Sequence, residues 1–256
     1  MCSNYIPVTS QDRLLTFFGV EYGKEEPEHD VFPLGMAPFL RLTVEGQEGG
    51  RPAMLAEEGM FGLLPTFATE MQYGRRTYNC RSETVHQKPS FRPAWNAGQR
   101  CVIPADAVYE PCYESGKAVR WKIWREGGDP FGIAGVYRRW KNPQGGAALY
   151  TFTMLTVNCE THPFYKRFHK AGDEKRMPIF LRRDEYLPWL TCEIDDASNF
   201  FKQYPGPFQG EPAPMARALK VQGEPSAKDE LLPKPKKPAK LLAPPSPPPP
   251  EQGNLF

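Results

Sequence analysis

Histidine is scarce in this chain, with four in 256 residues, and its six cysteines include no Cys-x-x-Cys pair. No histidine stands at finger spacing from any of them, so no structural metal site is expected. Long apolar runs are missing too. Nothing approaches the roughly 18 residues a membrane-spanning helix needs, so no membrane span is expected. The start, Met1-Cys2-Ser3-Asn4-Tyr5, has no basic region followed by an apolar stretch, so no secretory leader is expected. An excess of either charge is lacking as well: 32 Lys and Arg stand against 30 Asp and Glu, a net charge of +2. Bulk charge therefore does not argue for nucleic acid, and any such contact must rest on local clusters. There is no glycine-rich phosphate loop, so no nucleotide cofactor is expected, and a metal is not implied either. A cytoplasmic monomer with reduced and mostly buried thiols is expected.

What is present points to a folded domain. Hydrophobic residues make up 40% and aromatics 12%, too much for a wholly disordered chain. Proline is unevenly spread, with 14 of the 29 lying between Pro205 and Pro250. The stretch from Gln222 onward includes Pro-Lys-Pro-Lys-Lys-Pro and Ala-Pro-Pro-Ser-Pro-Pro-Pro-Pro. Such a composition buries no core and favours extended, solvated backbone. The reading is one domain over residues 1–221 and a disordered Pro- and Lys-rich tail over 222–256.

Within the domain, strand signals outweigh helix signals. Val119-Arg120-Trp121-Lys122-Ile123 alternates apolar and basic residues, as a half-exposed strand does. Cys101–Pro104 and Phe131–Tyr137 are short apolar runs between turn residues. Ala147–Val157 reads as a strand buried on both faces. Met177–Leu181 reads as another, with its Pro near the start. Helices are predicted over Ser10–Phe18, with Ser10 as cap, and over Arg183–Leu190. Many strands, few helices and no β-α alternation predict an α+β domain on a largely antiparallel, barrel-like sheet with peripheral helices.

Cys2 follows the initiator Met and is small enough for that Met to be removed. A terminal cysteine has an α-amine with a pKa of about 8 and a thiol of about 8.5 on one carbon skeleton. The pair can condense with an aldehyde: the amine forms a Schiff base and the thiol closes it to a thiazolidine. By position alone Cys2 is one more residue at a frayed end, so other residues must decide.

They lie in Asn79-Cys80-Arg81-Ser82-Glu83-Thr84, Arg100-Cys101-Val102-Ile103-Pro104-Ala105 leading to Tyr109-Glu110, and Lys175-Arg176-Met177-Pro178. With Met1-Cys2 and Gly62-Leu63-Leu64-Pro65, these segments resemble the SOS response-associated peptidase (SRAP) family over most of residues 2–220. The resemblance implies an SRAP fold and a covalent thiazolidine cross-link between the terminal Cys and an abasic site in single-stranded DNA. It also implies a thiol autopeptidase activity that releases the residue before the Cys. Carried over by motif, Cys2 is the nucleophile, Asn79 lies near it, Arg81 meets a DNA phosphate, and Glu110 moves protons during ring opening and Schiff-base closure. Taken without the resemblance, Glu110 and Arg81 read as members of ordinary ion pairs.

The sequence departs from the family where the family has His-x-Arg-Met-Pro: here the His position is Glu174. The nearest histidine, His169, precedes Lys170-Ala171-Gly172-Asp173, which looks like an inserted turn. His169 is therefore expected in the site with the insertion looped out, and Glu174 is the alternative. His29, His86 and His162 are given no role. A second departure is Asn4, where many relatives place an Arg on DNA; an amide makes a weaker phosphate contact. Arg75 and Arg76 beside Tyr73, Arg92, and Arg176 are further DNA-contact candidates, since single strands need basic grooves with aromatic platforms. Phe61, Leu64 and Pro65 match a DNA-facing wall in the family, although core positions are the plainer reading of such residues.

The last five residues, Gln252-Gly253-Asn254-Leu255-Phe256, resemble the peptide by which bacterial repair proteins dock on the replication sliding clamp. Gln252 would bond the pocket rim, and Leu255 and Phe256 would fill the pocket. Two other functions remain open at this point. One is a thiol peptidase with Cys2 as nucleophile and His169 as base. The other is a non-catalytic single-strand binder that serves the clamp.

Overall fold

The computed structural model describes residues 2–24, 29–43 and 52–215. Met1, the 222–256 tail and the expected clamp-binding residues Gln252, Leu255 and Phe256 lie outside the described residues. Eleven strands form one sheet: β1 (Asn4–Pro7), β2 (Met36–Thr43), β3 (Ala53–Phe61), β4 (Asn79–Arg81), β5 (Arg100–Cys112), β6 (Val119–Arg125), β7 (Phe131–Trp140), β8 (Leu149–Asn158), β9 (Arg176–Pro178), β10 (Phe180–Leu181) and β11 (Phe208–Pro212). The path β7-β8-β3-β2-β5 returns to β7, so five strands close a barrel. The β3–β8 and β4–β8 pairs are parallel and the remaining ladders antiparallel. Three short helices, α1 (Gln11–Phe18), α2 (Arg92–Asn96) and α3 (Tyr186–Thr191), lie around it. The expected α+β, barrel-like architecture is the one observed.

The local reasons are simple. In β8, Thr151 through Val157 are all buried, as the continuous apolar and Thr-rich run requires. In β6 only Ile123 is fully buried, in keeping with its alternating sequence. At α1, Ser10 occupies the cap position but its side chain makes no capping bond, while Gly19 ends the helix in a left-handed conformation. Closure of the barrel needs close backbone approach at Gly135, paired with Cys101 on one side and Met154 on the other. A Cβ there would lie 2.7 Å from the Thr153 carbonyl oxygen and 2.8 Å from Ile103 Cδ1. Gly135→Ala is therefore expected to cost about 2–3 kcal/mol, read as a lower urea midpoint with an unchanged slope.

One strand prediction needs correction. Met177–Leu181 is two strands divided at Ile179. β9 pairs with β8, β10 pairs with β7, and the Ile179 backbone bonds Leu155 on one side and Ala134 on the other. β7 and β8 pair with each other only from Gly135 and Met154 outward along the hairpin, and the chain fills the wedge where they part. β5 likewise divides between two partners along one edge: Arg100–Ala105 pairs with β7, and Val108–Cys112 pairs with β6. Its outer half also pairs with β1, which brings the residues beside Cys2 along the strand that holds Glu110.

Candidate functional site

Cys2 lies two residues before the start of β1 and is completely buried. Its thiol donates to the Asn4 carbonyl at 3.2 Å, and its own carbonyl accepts Asn79 Nδ2–H at 2.6 Å. Asn79 opens β4, and the parallel ladder to β8 sets its position. Glu110, on the outer half of β5, is 1% exposed. His169 Nε2 lies 3.6 Å from Glu110 Oε2 and donates to the Arg176 carbonyl at 2.7 Å. The His169 amide bonds the carbonyl of Pro111, the residue after Glu110, at 2.8 Å. His169 itself has φ 67°, a left-handed conformation uncommon outside glycine. Its carbonyl is held by Lys175 Nζ, and Lys170–Asp173 closes a turn with Gly172 at φ 87°. Cys2, Asn79, Glu110 and His169, spread over 168 positions of the sequence, are thus gathered at one place.

Glu174 is placed differently. One carboxylate oxygen pairs with Arg81 Nη1 at 2.8 Å and the other with Arg176 Nη1. Burial works against its charge, but the Arg176 hydrogen bond and the Arg176 and Arg81 charges outweigh that and hold its carboxyl below the ordinary range. A carboxylate so held is a poor proton carrier at neutral pH.

The Cys2 thiol is pushed up to about 12, first by burial and then by the Glu110 charge, against hydrogen bonds from the Tyr109 and Asn4 backbone. Burial raises Cys159 to about 12 as well. These shifts have a consequence for stability. An unfolded thiol ionises at about 8.5, so the folded state favours the protonated form. The contribution is complete below the unfolded value and is lost as pH rises through the folded value. Urea midpoints are therefore expected to fall steadily between about pH 9 and pH 12. A flat profile there would overturn the burial of these thiols.

Several expected DNA contacts are not at the surface. Phe61, Leu64 and Pro65 are buried: Phe61 packs edge-on against Tyr5, and Leu64 lies with Met60, Ala68 and Trp140. The exposed apolar side chains near that segment are Phe67 and Met71. Asn4 is buried with its amide toward Asp30, which is ion-paired with Arg120. Arg176 is 2% exposed, with its guanidinium taken up by Thr156, Glu83 and Glu174. In each case the long-range pairing turns the side chain inward, so these residues support the site from within. Arg75, Arg76, Arg81 and Arg92 are exposed. The segments carrying Arg75 and Arg92 are tied by the Tyr73–Ser90 hydroxyl bond at 2.9 Å.

Some residues were overlooked in the sequence. Glu83 stood inside the Asn79-x-Arg81-x-Glu83 motif without a role, yet it pairs with Arg176 at 2.7 Å. His162, which was given no role, is buried and structural: Nδ1 accepts the Phe164 and Tyr165 amides, and Nε2 donates to the Tyr204 carbonyl. The Tyr165 hydroxyl is fully buried, and burial with Glu110 and Cys2 nearby raises it well above its ordinary value. No sequence signal marked it, because one Tyr in an aromatic stretch looks like core.

Among the described residues no group of His, Cys, Asp and Glu could hold a metal ion, and no helix is long and apolar enough to cross a membrane. The family model described as "SOS response associated peptidase (SRAP)" matches residues 1–218. The abasic site processing protein YoaM of Bacillus subtilis is 29% identical over 196 residues, which cover 75% of this chain and 79% of YoaM. The abasic site processing protein HMCES of Gallus gallus is 28% identical over 198 residues, covering 66% of this chain and 55% of HMCES. A crystal structure of a protein from Bordetella bronchiseptica matches with a TM-score of 0.74 and 35% identity, covering 83% of this chain and 99% of that one.

Proposed function

The chain belongs to the SOS response associated peptidase (SRAP) family, and on that premise we propose that it processes abasic sites in single-stranded DNA by trapping them covalently through Cys2. The observation that carries this reading is the placement of Cys2. A residue next to the chain's first position ordinarily frays. Here it is fully buried, fastened through its carbonyl by Asn79 and set beside the Glu110–His169 pair.

Hydrolysis of the Met1–Cys2 bond frees the Cys2 amine. The abasic sugar opens from its hemiacetal to an aldehyde, with a proton moved by Glu110 or His169. The amine adds to the aldehyde carbon, and loss of water leaves a Schiff base. The thiol sulfur then bonds the same carbon, its proton passing by way of Glu110 to the Schiff-base nitrogen. One water is released and a thiazolidine joins protein and DNA. Asn79 positions the Cys2 backbone through these steps without titrating. Asn79→Ala is expected to slow cross-linking by about 10- to 100-fold through lost positioning. A denaturing-gel time course with a single-abasic-site oligonucleotide reads this directly. A rate equal to that of the unmodified protein would exclude the positioning role.

The same assay tests the whole reading: a band that survives denaturation and requires the abasic site. A general thiol peptidase is less well supported. Such an enzyme activates its nucleophile by lowering the thiol pKa, whereas burial and Glu110 raise that of Cys2.

The partner proposal rests on sequence alone. A trapping domain of residues 1–221 followed by a proline-rich tether would let Gln252, Leu255 and Phe256 hold the protein at a sliding clamp, near exposed template in the cytoplasm. Deleting residues 252–256 is expected to abolish clamp binding in a pull-down; retained binding excludes the idea.

A further inference from the structure

We propose that Glu174 gates the DNA contact by occupying the Arg81 guanidinium in the free protein and competing with a DNA phosphate for it. The inference rests on the reading above, in which Arg81 faces single-stranded DNA. The competitor stands where the sequence departs from its family's His-x-Arg-Met-Pro pattern.

Arg81 ends β4, two residues from the Asn79 that fastens Cys2. Its side chain is 53% exposed, so a phosphate can reach it, yet it is engaged by Glu174 at 2.8 Å. An isolated surface pair of this kind would exchange freely and count for little. Glu174 is not free to wander, because its other oxygen is held by Arg176. Arg176 is in turn immobilised by the Thr156 carbonyl at 2.6 Å, the Thr156 hydroxyl at 3.0 Å and Glu83 at 2.7 Å. The turn at Lys170–Asp173 delivers Glu174 to this anchor.

Charge counting shows the effect. Arg81 and Arg176 balance Glu83 and Glu174, so the cluster is neutral before DNA arrives. A phosphate on Arg81 leaves the cluster with one negative charge in excess, a cost that binding must overcome. Intact strands, which gain only phosphate contacts, are then held weakly. An abasic strand is retained because a covalent bond follows the encounter. Glu174 thus biases the protein toward strands it can trap.

The test measures binding of a fluorescent intact single-stranded oligonucleotide by anisotropy at low salt. Glu174→Gln keeps an acceptor for Arg176 and removes the competing charge, so binding is expected to tighten about tenfold. The gain should shrink as salt is raised. It should vanish in the Arg81→Ala, Glu174→Gln double variant, because no guanidinium is left to release. Glu174→Asp keeps the charge beside Arg176 but draws it back from Arg81, and should give a smaller gain. It provides the answer if the Gln variant melts at a much lower temperature. Unchanged or weaker binding in a folded Glu174 variant overturns the gate, and so does a gain that persists without Arg81. Cross-linking by the unmodified protein is scored separately on an abasic strand. A cross-link without a Glu174 effect overturns only the gate; a Glu174 effect without a cross-link overturns only the trapping reading.

Discussion

Cys2→Ala is expected to abolish the denaturation-resistant protein–DNA species, a loss of at least about a thousandfold in cross-link yield. Alanine also permits removal of Met1, so the variant keeps a terminal amine. It can still form a Schiff base with the opened sugar, but it has no sulfur to close the ring, and the imine hydrolyses during denaturation. Reduction with cyanoborohydride during incubation should therefore restore a stable band, because it converts the imine to an amine that cannot reverse. That rescue separates lost chemistry from lost binding. Stability should fall only modestly, by about 1 kcal/mol, since a small buried side chain loses its sulfur. A stable band from Cys2→Ala without reductant would mean that another group makes the bond.

The second large effect is expected at Glu110 and His169, the proposed proton carriers. With its thiol pushed up to about 12, first by burial and then by the Glu110 charge, Cys2 is protonated at neutral pH. Closing the ring therefore requires the proton to leave as the sulfur bonds carbon. Glu110 is the charged neighbour that raises the thiol, and His169 stands 3.6 Å from it. Glu110→Gln is expected to slow cross-linking by about 10²- to 10³-fold, and His169→Ala by about 10²-fold. The double variant should be little worse than the slower single one, because the two act on one proton. Removing the Glu110 charge also lowers the thiol pKa. The Glu110→Gln rate should thus climb about tenfold per pH unit through the mildly alkaline range, as thiolate forms unaided. A rate unaffected by Glu110→Gln, or equally slow at every pH, would remove Glu110 from the chemistry.

These side chains show what a sequence can carry. Glu110 and Asn79 were legible because each sits in a short motif of fixed spacing. His169 was legible only as the better of two choices. The structure places them differently: His169 lies beside Glu110, whereas Glu174 is held between two guanidinium groups. That separation depends on Gly172 turning the chain at the insertion, and on the Pro111 carbonyl meeting the His169 amide across 58 residues.

Sequence alone determined the strand-rich class, the buried character of β8, the alternation in β6 and the two helices flanked by polar residues. Each follows from side-chain chemistry read over a few neighbouring positions. Tertiary structure alone decided that Met177–Leu181 divides between two partner strands, and that Phe61, Leu64, Pro65, Asn4 and Arg176 face inward. It also decided that Arg81 reaches the surface already paired. The physical reason is that a side chain's period tells which residues share a face, but not what that face will meet. Barrel closure between β5 and β7 and the parallel pairing of β4 with β8 join segments about 30 to 75 residues apart. Those pairings set which face is inside, which charges find partners, and therefore which cations are left for a phosphate.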